Sequence, residues 1–367
     1  MHNRNCSVVF VGIDVSAREL AVARQAGDQL EPVRTFTNTA AGHQQLGHDL
    51  GRDQRPVRVC VEASGNYSLD LCLALHAMDG IELSVINPRL ARRFAESLGT
   101  RSKTDPVDAR VLCLYAQRMP AAPWQPPSSA SLHLRSVTRA IEALTCMLVQ
   151  ERARQHAAEA STALPRLVAN ELKRHQRYLE QRIQRLRREA VRIISSDADL
   201  ARRFRLMQTT PGVAETSALQ LLGELAVLPS TLDARQWVAH SGLDPRHHRS
   251  GTSIEWTPRL SKVGNRRLRR ALYMPALVAV RHDPHLRSFY QRLCANGKAP
   301  LQALAAVMRK LLHAFHAMLR FDRPYDGARL CPDGPARSSS ISAKREGFPS
   351  PLLREKICLK SKRESSH

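Results

Sequence analysis

The stretch TRSKTDPVDAR, residues 100–110, sets two carboxylates three residues apart where a helix is predicted to begin. Asp105 is a favoured N-cap residue and Pro106 a favoured first helical residue, because proline fixes φ and its missing N–H is not needed there. Asp108 then shares a helical face with Asp105. The pattern alone is also typical of a capping aspartate followed by a solvated one. A metal site therefore requires further carboxylates from elsewhere in the chain.

Composition indicates a polyanionic partner. The 367 residues include 56 Lys and Arg against 33 Asp and Glu, a formal net charge of +23. Nucleic acid is the first candidate and a membrane surface the rival. No apolar run approaches the length of a membrane span, and the eight cysteines include no CxxC pair. Both features favour a cytoplasmic protein with reduced thiols and no membrane partner.

Residues 7–97 predict a mixed sheet covered by helices. Short β-branched runs alternate with helical segments in the order β-β-β-α-β-α-β-α. The predicted strands are 7–13, 20–24, 33–37, 57–61 and 83–86, and the helices are about 40–50, about 67–78 and a segment after Pro88.

Two further acids follow predicted strands. Asp14 comes at the end of the first strand and Glu62 at the end of the fourth. If these two strands are neighbours, Asp14 and Glu62 can meet Asp105 and Asp108 at one edge of the sheet. Hard oxygen ligands of this kind hold Mg²⁺, and a pair of such ions supports in-line displacement at a phosphodiester.

These motifs resemble those of the DEDD-type transposases of bacterial insertion sequences, to which the pilin-gene invertases are related. The resemblance runs from about Val8 to about Asp326 and is carried by VGID (11–14), CVEASG (60–65), VINP (85–88) and KTDPVDAR (103–110). It implies a RuvC/RNase H-like α/β nuclease domain at the N-terminus. It also implies that Asp14, Glu62, Asp105 and Asp108 bind Mg²⁺, for which Mn²⁺ can substitute.

Four regions are expected: a nuclease domain (1–120), a helical coiled-coil and dimerisation region (121–200), a mainly α transposase domain (201–326) and a basic disordered tail (327–367). The first boundary rests on MPAAPWQPP (119–127), which breaks any helix. The coiled coil rests on apolar residues at spacings of three and four. They are Val137, Ile141, Leu144 and Leu148, followed by Leu172, Leu179, Ile183, Leu186, Ala190 and Ile193.

Nine arginines accompany this apolar pattern, and two interpretations of them stay open. They form a solvated basic face, or they grip phosphates without reading bases. The arginines are Arg152, Arg154, Arg174, Arg177, Arg182, Arg185, Arg187, Arg188 and Arg192. The resemblance implies that helices in this region join protomers into a homo-oligomer, a dimer or a tetramer.

Residues 210–214, TPGVA, precede an apolar helical stretch from Ala218 to Leu225. They are typical of a degenerate helix-hairpin-helix turn, whose backbone N–H groups would face phosphate. A plain connection between helices is the equal alternative, because Ala214 replaces the usual second glycine.

A serine in the third region is the candidate nucleophile. On composition alone, Ser250-Gly251 is a turn element. The resemblance instead implies that Ser250 attacks DNA, with Ser261-Lys262-Val263-Gly264 as the element that follows. Ser241 and Ser253 are weaker candidates. The side chains expected to bind nucleic acid are Lys103, Arg246, Arg249, Lys262, Arg266 and Arg267.

The resulting expectation is an insertion-sequence transposase that cuts and rejoins DNA through a phosphoserine ester, in the nucleoid of a bacterial cytoplasm. In some members of the family a structured RNA from the element guides the reaction. Three alternatives stay open. They are a RuvC-like junction endonuclease that hydrolyses with water, a DNA invertase at one locus, and an inactive nucleic-acid-binding remnant.

Overall fold

The chain, seen in a computed structural model, forms two compact units, residues 1–126 and 127–367. The structure describes residues 8–100, 104–120, 122–160, 165–250 and 254–331, and the side chains of 247–258 are outside this description. The tail predicted at 327–367 begins later than expected, because Gly327–Leu330 form a short helix and Cys331 is buried, and the residues beyond 331 lie outside the described ranges.

The first unit is built on a mixed sheet with strand order β3-β2-β1-β5-β6, and β4 pairs with β2. Its strands are β1 (Val9–Val15), β2 (Glu19–Ala26), β3 (Gln29–Leu30), β4 (Arg34–Thr37), β5 (Val57–Glu62) and β6 (Ile81–Ile86). Its helices are α1 (Ala40–Gly51), α2 (Asn66–His76), α3 (Pro88–Ser97) and α4 (Asp105–Arg118). The predicted α/β architecture is confirmed. The pair Gln29–Leu30, too short to leave a pattern, adds a fourth strand before α1, where three were predicted.

Helices cover both faces of this sheet. Alternate residues of β1 and β5, among them Val11, Ile13 and Val59, pack against Leu46 of α1 and Leu71 of α2. The opposite face packs against α3 and α4. Between α4 and residue 129 the described residues, 119–120 and 122–128, are not helical, as the prolines predicted.

The second unit begins with a long helical hairpin, α5 (Ser129–Glu159) and α6 (Arg166–Ser195). The predicted apolar positions Leu144 and Leu148 of α5 join Leu179 and Ile183 of α6 in one buried cluster. The two helices therefore bury these apolar side chains against each other within one chain. Four of the nine arginines make ion pairs with glutamates, which favours the solvated-face interpretation for those four: Arg152, Arg154, Arg174 and Arg192.

A helical bundle with one β-hairpin completes this unit, as the predicted mainly α class requires. The helices are α7 (Ala198–Gln208), α8 (Glu215–Leu225), α9 (Ala234–Ser241), α10 (Arg266–His282), α11 (Pro284–Ala295), α12 (Pro300–Phe321) and α13 (Gly327–Leu330). The hairpin consists of β7 (Pro245–Ser250) and β8 (Ile254–Leu260). No helix in the described part of the chain is long and apolar enough to cross a membrane.

The turn between α7 and α8 packs tightly on α10. Gly212 has a φ of 87°, and a Cβ there would lie 2.7 Å from the Pro275 carbonyl oxygen and 2.9 Å from Val278 Cβ. Val213 N already donates to Thr210 O at 3.0 Å. The glycine therefore serves close packing, which supports the plain connection over a phosphate cradle.

Candidate active site

Asp14 and Glu62 lie on the same face of the sheet, at the carboxyl ends of adjacent strands. Side chains alternate along a strand, and Ile13 is buried on the side of α1 and α2, so Gly12 and Asp14 face the other side. The parallel pairing of β1 with β5 puts Cys60 beside Gly12, and Asp14 and Glu62 follow two residues further along each strand. Neighbouring strands are about 4.8 Å apart, so these two acids are close neighbours.

Helix α4 lies directly on β1 because Gly12 has no side chain. A Cβ at Gly12 would lie 2.6 Å from the carbonyl carbon of Leu112 and closer still to the backbone N of Cys113. Cys113 Sγ also donates to Phe10 O at 3.3 Å. These contacts fix the middle of α4 beside the middle of β1. The first turn of the helix therefore lies toward the end of the strand, where Asp14 is.

Asp105 and Asp108 both lie in this first turn of α4. The prediction that Asp105 caps the helix is wrong by one residue. Thr104 has the extended backbone of an N-cap, and its carbonyl accepts hydrogen bonds from the N–H groups of Val107 and Asp108, both at 2.9 Å. Asp105 is thus the first helical residue and Pro106 the second. The positive end of the helix dipole favours carboxylates at such positions.

The four acids interact electrostatically. Burial, followed by the negative charges of Asp105, Asp108 and Glu62, raises the pKa of Asp14 from 3.8 to about 6. A carboxyl group that is partly buried among like charges binds its proton more tightly unless a cation compensates. Two strands and one helix therefore bring together the residues that the sequence identified as metal ligands.

The donor set fits a magnesium ion in its chemistry. Within the described ranges, no three His, Cys, Asp or Glu side chains are close enough, as they stand, to hold one ion together. Mg²⁺ requires less than this, because it keeps several of its waters and binds proteins through one or two carboxylates. Asp14, Glu62, Asp105 and Asp108 offer only the hard oxygen atoms that it prefers.

Ser250 is the last residue of β7, and its backbone pairs with Ile254 of β8. On composition a turn was expected at Ser250-Gly251; Ser250 itself lies in a strand of a β-hairpin, and Gly251 is outside the described residues. The side chains of Ser250 and Arg249 lie outside the described residues, and so do Lys103 and Ser253 as a whole.

Ser241 is the one weaker candidate that the structure describes fully. It is buried in α9, and its hydroxyl donates to the carbonyl oxygen of Val238 at 2.7 Å. Its own carbonyl accepts a hydrogen bond from Arg269 Nη1, also at 2.7 Å. These bonds give Ser241 a structural role.

The element after the hairpin, residues 261–264, folds back on the end of α9. Ser261 Oγ donates to Asp244 Oδ1 at 2.7 Å, and Ser261 N donates to Asp244 O at 2.9 Å. At the other end of the element, Asn265 N donates to His240 O at 2.7 Å. The element is therefore held at both ends to the segment just before β7.

A buried carboxylate that sequence reasoning missed, Glu224, holds Asn265, the residue that follows this element. Glu224 accepts two hydrogen bonds from Arg139, at 2.7 and 2.9 Å, and one from Asn265 Nδ2 at 2.6 Å. Burial by itself would raise the pKa of Glu224, but the hydrogen bonds from Arg139 and Asn265 outweigh it and lower the pKa. The signal in the sequence was one acid inside the apolar stretch 218–225.

The predicted nucleic-acid-binding side chains differ in their surroundings. Arg246, Lys262 and Arg266 are exposed. Arg267 Nε instead pairs with Glu142 Oε2 at 2.9 Å. A phosphate contact by Arg267 would therefore compete with this ion pair.

Comparison with known proteins finds matches to residues of both units. A DEDD transposase model named for IS110 matches residues 11–162, and the model for the IS116/IS110/IS902 transposase family matches residues 204–291. A pilin gene-inverting protein of Moraxella bovis is 30% identical over 329 residues, which are 87% of this chain and 98% of that protein. An uncharacterized 43.6 kDa protein of insertion element IS110 from Streptomyces coelicolor is 36% identical over 117 residues, 31% of this chain and 28% of that protein.

Among solved structures, RuvC of Thermus thermophilus in complex with a Holliday junction substrate matches 32% of this chain and 99% of its own. The identity is 17% and the TM-score 0.25. The family models and the nearly full-length relative show that the chain belongs to the IS116/IS110/IS902 family of transposases.

Proposed function

We propose that this transposase cleaves and rejoins DNA strands with Mg²⁺ held by Asp14, Glu62, Asp105 and Asp108 and with Ser250 as the nucleophile. The observation that carries the metal site is geometric: adjacent parallel strands end at Asp14 and Glu62, and the first turn of α4 holds Asp105 and Asp108. The raised pKa of Asp14, caused by burial and by the other three acids, agrees with this arrangement. Mn²⁺ can replace Mg²⁺, because both accept octahedral oxygen coordination.

The serine chemistry conserves the energy of the phosphodiester bond. The Ser250 oxygen forms a bond to phosphorus, the bond from phosphorus to one sugar oxygen breaks, and the serine proton passes to that leaving oxygen. Attack by the hydroxyl of a new DNA end then reverses the exchange and returns the proton to Ser250. Bound Mg²⁺ would stabilise the charge that develops on the phosphate oxygens, and the exposed Arg246 and Lys262 add positive charge in the serine-bearing unit.

The acids and the serine belong to different compact units. We propose that both act in one reaction, carried out by a homo-oligomer that is a dimer or a tetramer. In the same proposal, the nuclease domain is 1–120, the coiled-coil region 121–200, the transposase domain 201–326 followed by α13, and the tail the residues beyond 331. DNA is the substrate, a structured RNA from the element is a candidate guide, and the nucleoid is the expected location.

The test is an assay for covalent protein–DNA adducts on denaturing gels. Purified protein is incubated with Mg²⁺, the junction DNA of the element and its flanking transcript. We expect adducts with the wild-type chain and none with Asp105→Ala or Ser250→Ala. Asp28→Ala, at an exposed turn, is the control for Asp105→Ala. Ser253→Ala, at the next serine along the chain, is the control for Ser250→Ala. Both controls should retain the adduct.

Two results would change the assignment. Cleavage by Ser250→Ala without an adduct would support hydrolysis by water, as in a junction endonuclease. An unchanged adduct in Asp105→Ala would remove the acids from the reaction. The full-length similarity to a pilin gene-inverting protein favours one second candidate, inversion at a fixed locus. Inversion uses the same chemistry, and DNA carrying two sites in opposite orientation distinguishes it by its product.

A further inference from the structure

A cavity of about 320 Å³ opens in the second unit between α9, α11, α12 and the start of β7. Its charged lining is almost entirely basic. The cations are Arg235 from α9 and Arg309 and Lys310 from α12, and His313 of α12 lines the cavity beside them. The ring of Phe289 forms an apolar wall.

The positive charges of this cavity have little compensation. Asp244 is the acid in the lining, and one of its oxygens accepts the hydroxyl of Ser261 at 2.7 Å. Among the residues that the structure describes, no carboxylate pairs with Arg235 or Arg309. Lys310 donates to a neutral partner, the carbonyl oxygen of Leu330, at 3.0 Å.

The effect of this charge is visible at His313. Its pKa is lowered by burial and, after that, by the charges of Lys310, His316, Arg309 and Arg235. Cations held together in this way repel one another at a cost in stability. An anion in the cavity would remove that cost.

We propose that this cavity binds a phosphodiester group of the nucleic-acid backbone. Two arginines match the geometry of phosphate oxygens, and the lysine adds a point charge. Pro245, in the cavity lining, is also the first residue of β7, the strand that ends in Ser250, so the cavity lies at the base of this hairpin. The inference uses the family assignment but not the serine chemistry.

The experiment compares two double variants of the full chain that lose the same charge. Arg235→Gln with Arg309→Gln removes two cavity cations, whereas Arg320→Gln with Arg323→Gln removes two cations that are exposed and do not line the cavity. Affinity for labelled duplex DNA, single-stranded DNA and RNA of the same sequence is measured by fluorescence anisotropy over a range of KCl concentrations. EDTA prevents cleavage, so the result is independent of the adduct assay.

For the cavity variant, we expect the slope of log affinity against log salt concentration to fall by about 1 to 2, with the control near wild type. A loss restricted to the DNA or to the RNA probes identifies which backbone occupies the cavity. Equal slopes for the two double variants would overturn the proposal. Arg235→Gln alone, at an exposed helix position, should lower the slope by about 1 without a loss of thermal stability, which separates binding from folding. Arg309→Lys, which keeps the positive charge, should retain most of the wild-type affinity.

Discussion

At the scale of single residues, the position of Asp14 in the fold determines its proposed role. Its strand neighbours Ile13 and Val15 are buried, and this position at the end of β1 brings its carboxyl group among three others. Such a group stabilises the folded chain only when it is protonated or beside a cation. The sequence predicted a role for this residue, whereas its environment depends on the sheet register and on the position of α4.

We predict that Asp14→Asn stabilises the metal-free protein above pH 6. The folded pKa of about 6 exceeds the ordinary 3.8, so the favourable contribution of Asp14 is complete below pH 3.8 and is lost as the pH rises through 6. Removing the charge should raise the free energy of unfolding by about 1 kcal/mol, since water screens part of the interaction at a half-exposed group. Urea unfolding in EDTA measures this, and the gain should shrink as the pH falls through 6.

Addition of Mg²⁺ completes this test. It should raise the stability of the wild-type chain and of the exposed control Asp28→Asn, and raise that of Asp14→Asn much less. Loss of stability in Asp14→Asn above pH 6 without metal would contradict the electrostatic account.

At the scale of secondary-structure elements, the contact between β1 and α4 assembles the acid cluster. Strand and helix approach closely enough for Cys113 Sγ to bond the Phe10 carbonyl. The missing side chain of Gly12 permits this distance. The sequence predicted both elements, whereas their contact follows from the packing.

We predict that Gly12→Ala destabilises the chain by about 1 to 3 kcal/mol, because the added methyl group displaces α4 from β1. The same displacement moves Asp105 and Asp108 away from Asp14, so adduct formation should be lost. Gly51→Ala, in α1, is the matched control, because nothing lies within 4 Å of the added Cβ. Urea unfolding and the adduct assay measure the two effects, and a Gly12→Ala protein with wild-type stability would refute the packing argument.

At the scale of the whole molecule, the two compact units carry different residues of the proposed chemistry. The first unit holds all four acids, and the second holds Ser250 and the basic cavity. A reaction that joins two DNA ends needs more than one such site. A site shared between protomers would provide this through the symmetry of an oligomer.

We predict that mixing the Asp105→Ala and Ser250→Ala proteins restores adducts that neither forms alone. If the acids of one protomer act with the serine of another, random dimers give about a quarter of the intact sites of the wild type. The adduct gel measures the yield after subunit exchange. A mixture as inactive as its components would place acids and serine of one site in the same protomer.

Local pattern was sufficient for much of this chain. β-Branched runs predicted five of the six strands of the first sheet, the proline-rich segment 119–127 predicted the end of α4, and spacings of three and four predicted the long hairpin. These features follow from the period of each element and from backbone restrictions, which depend on near neighbours. The motifs with acids after the strands and at the helix start predicted a metal site from local pattern too, and that site stays a proposal.

Tertiary structure decided which of these residues meet. The pairing of β1 with β5 put Asp14 beside Glu62, and Gly12 let α4 bring its acids to them. It also buried Glu224 with Arg139 and Asn265, residues 85 and 41 positions away, and gathered cations from α9 and α12 around one cavity. Such contacts depend on side chains far apart in sequence, and on the burial that changes their charge, so they arise only when the chain has folded.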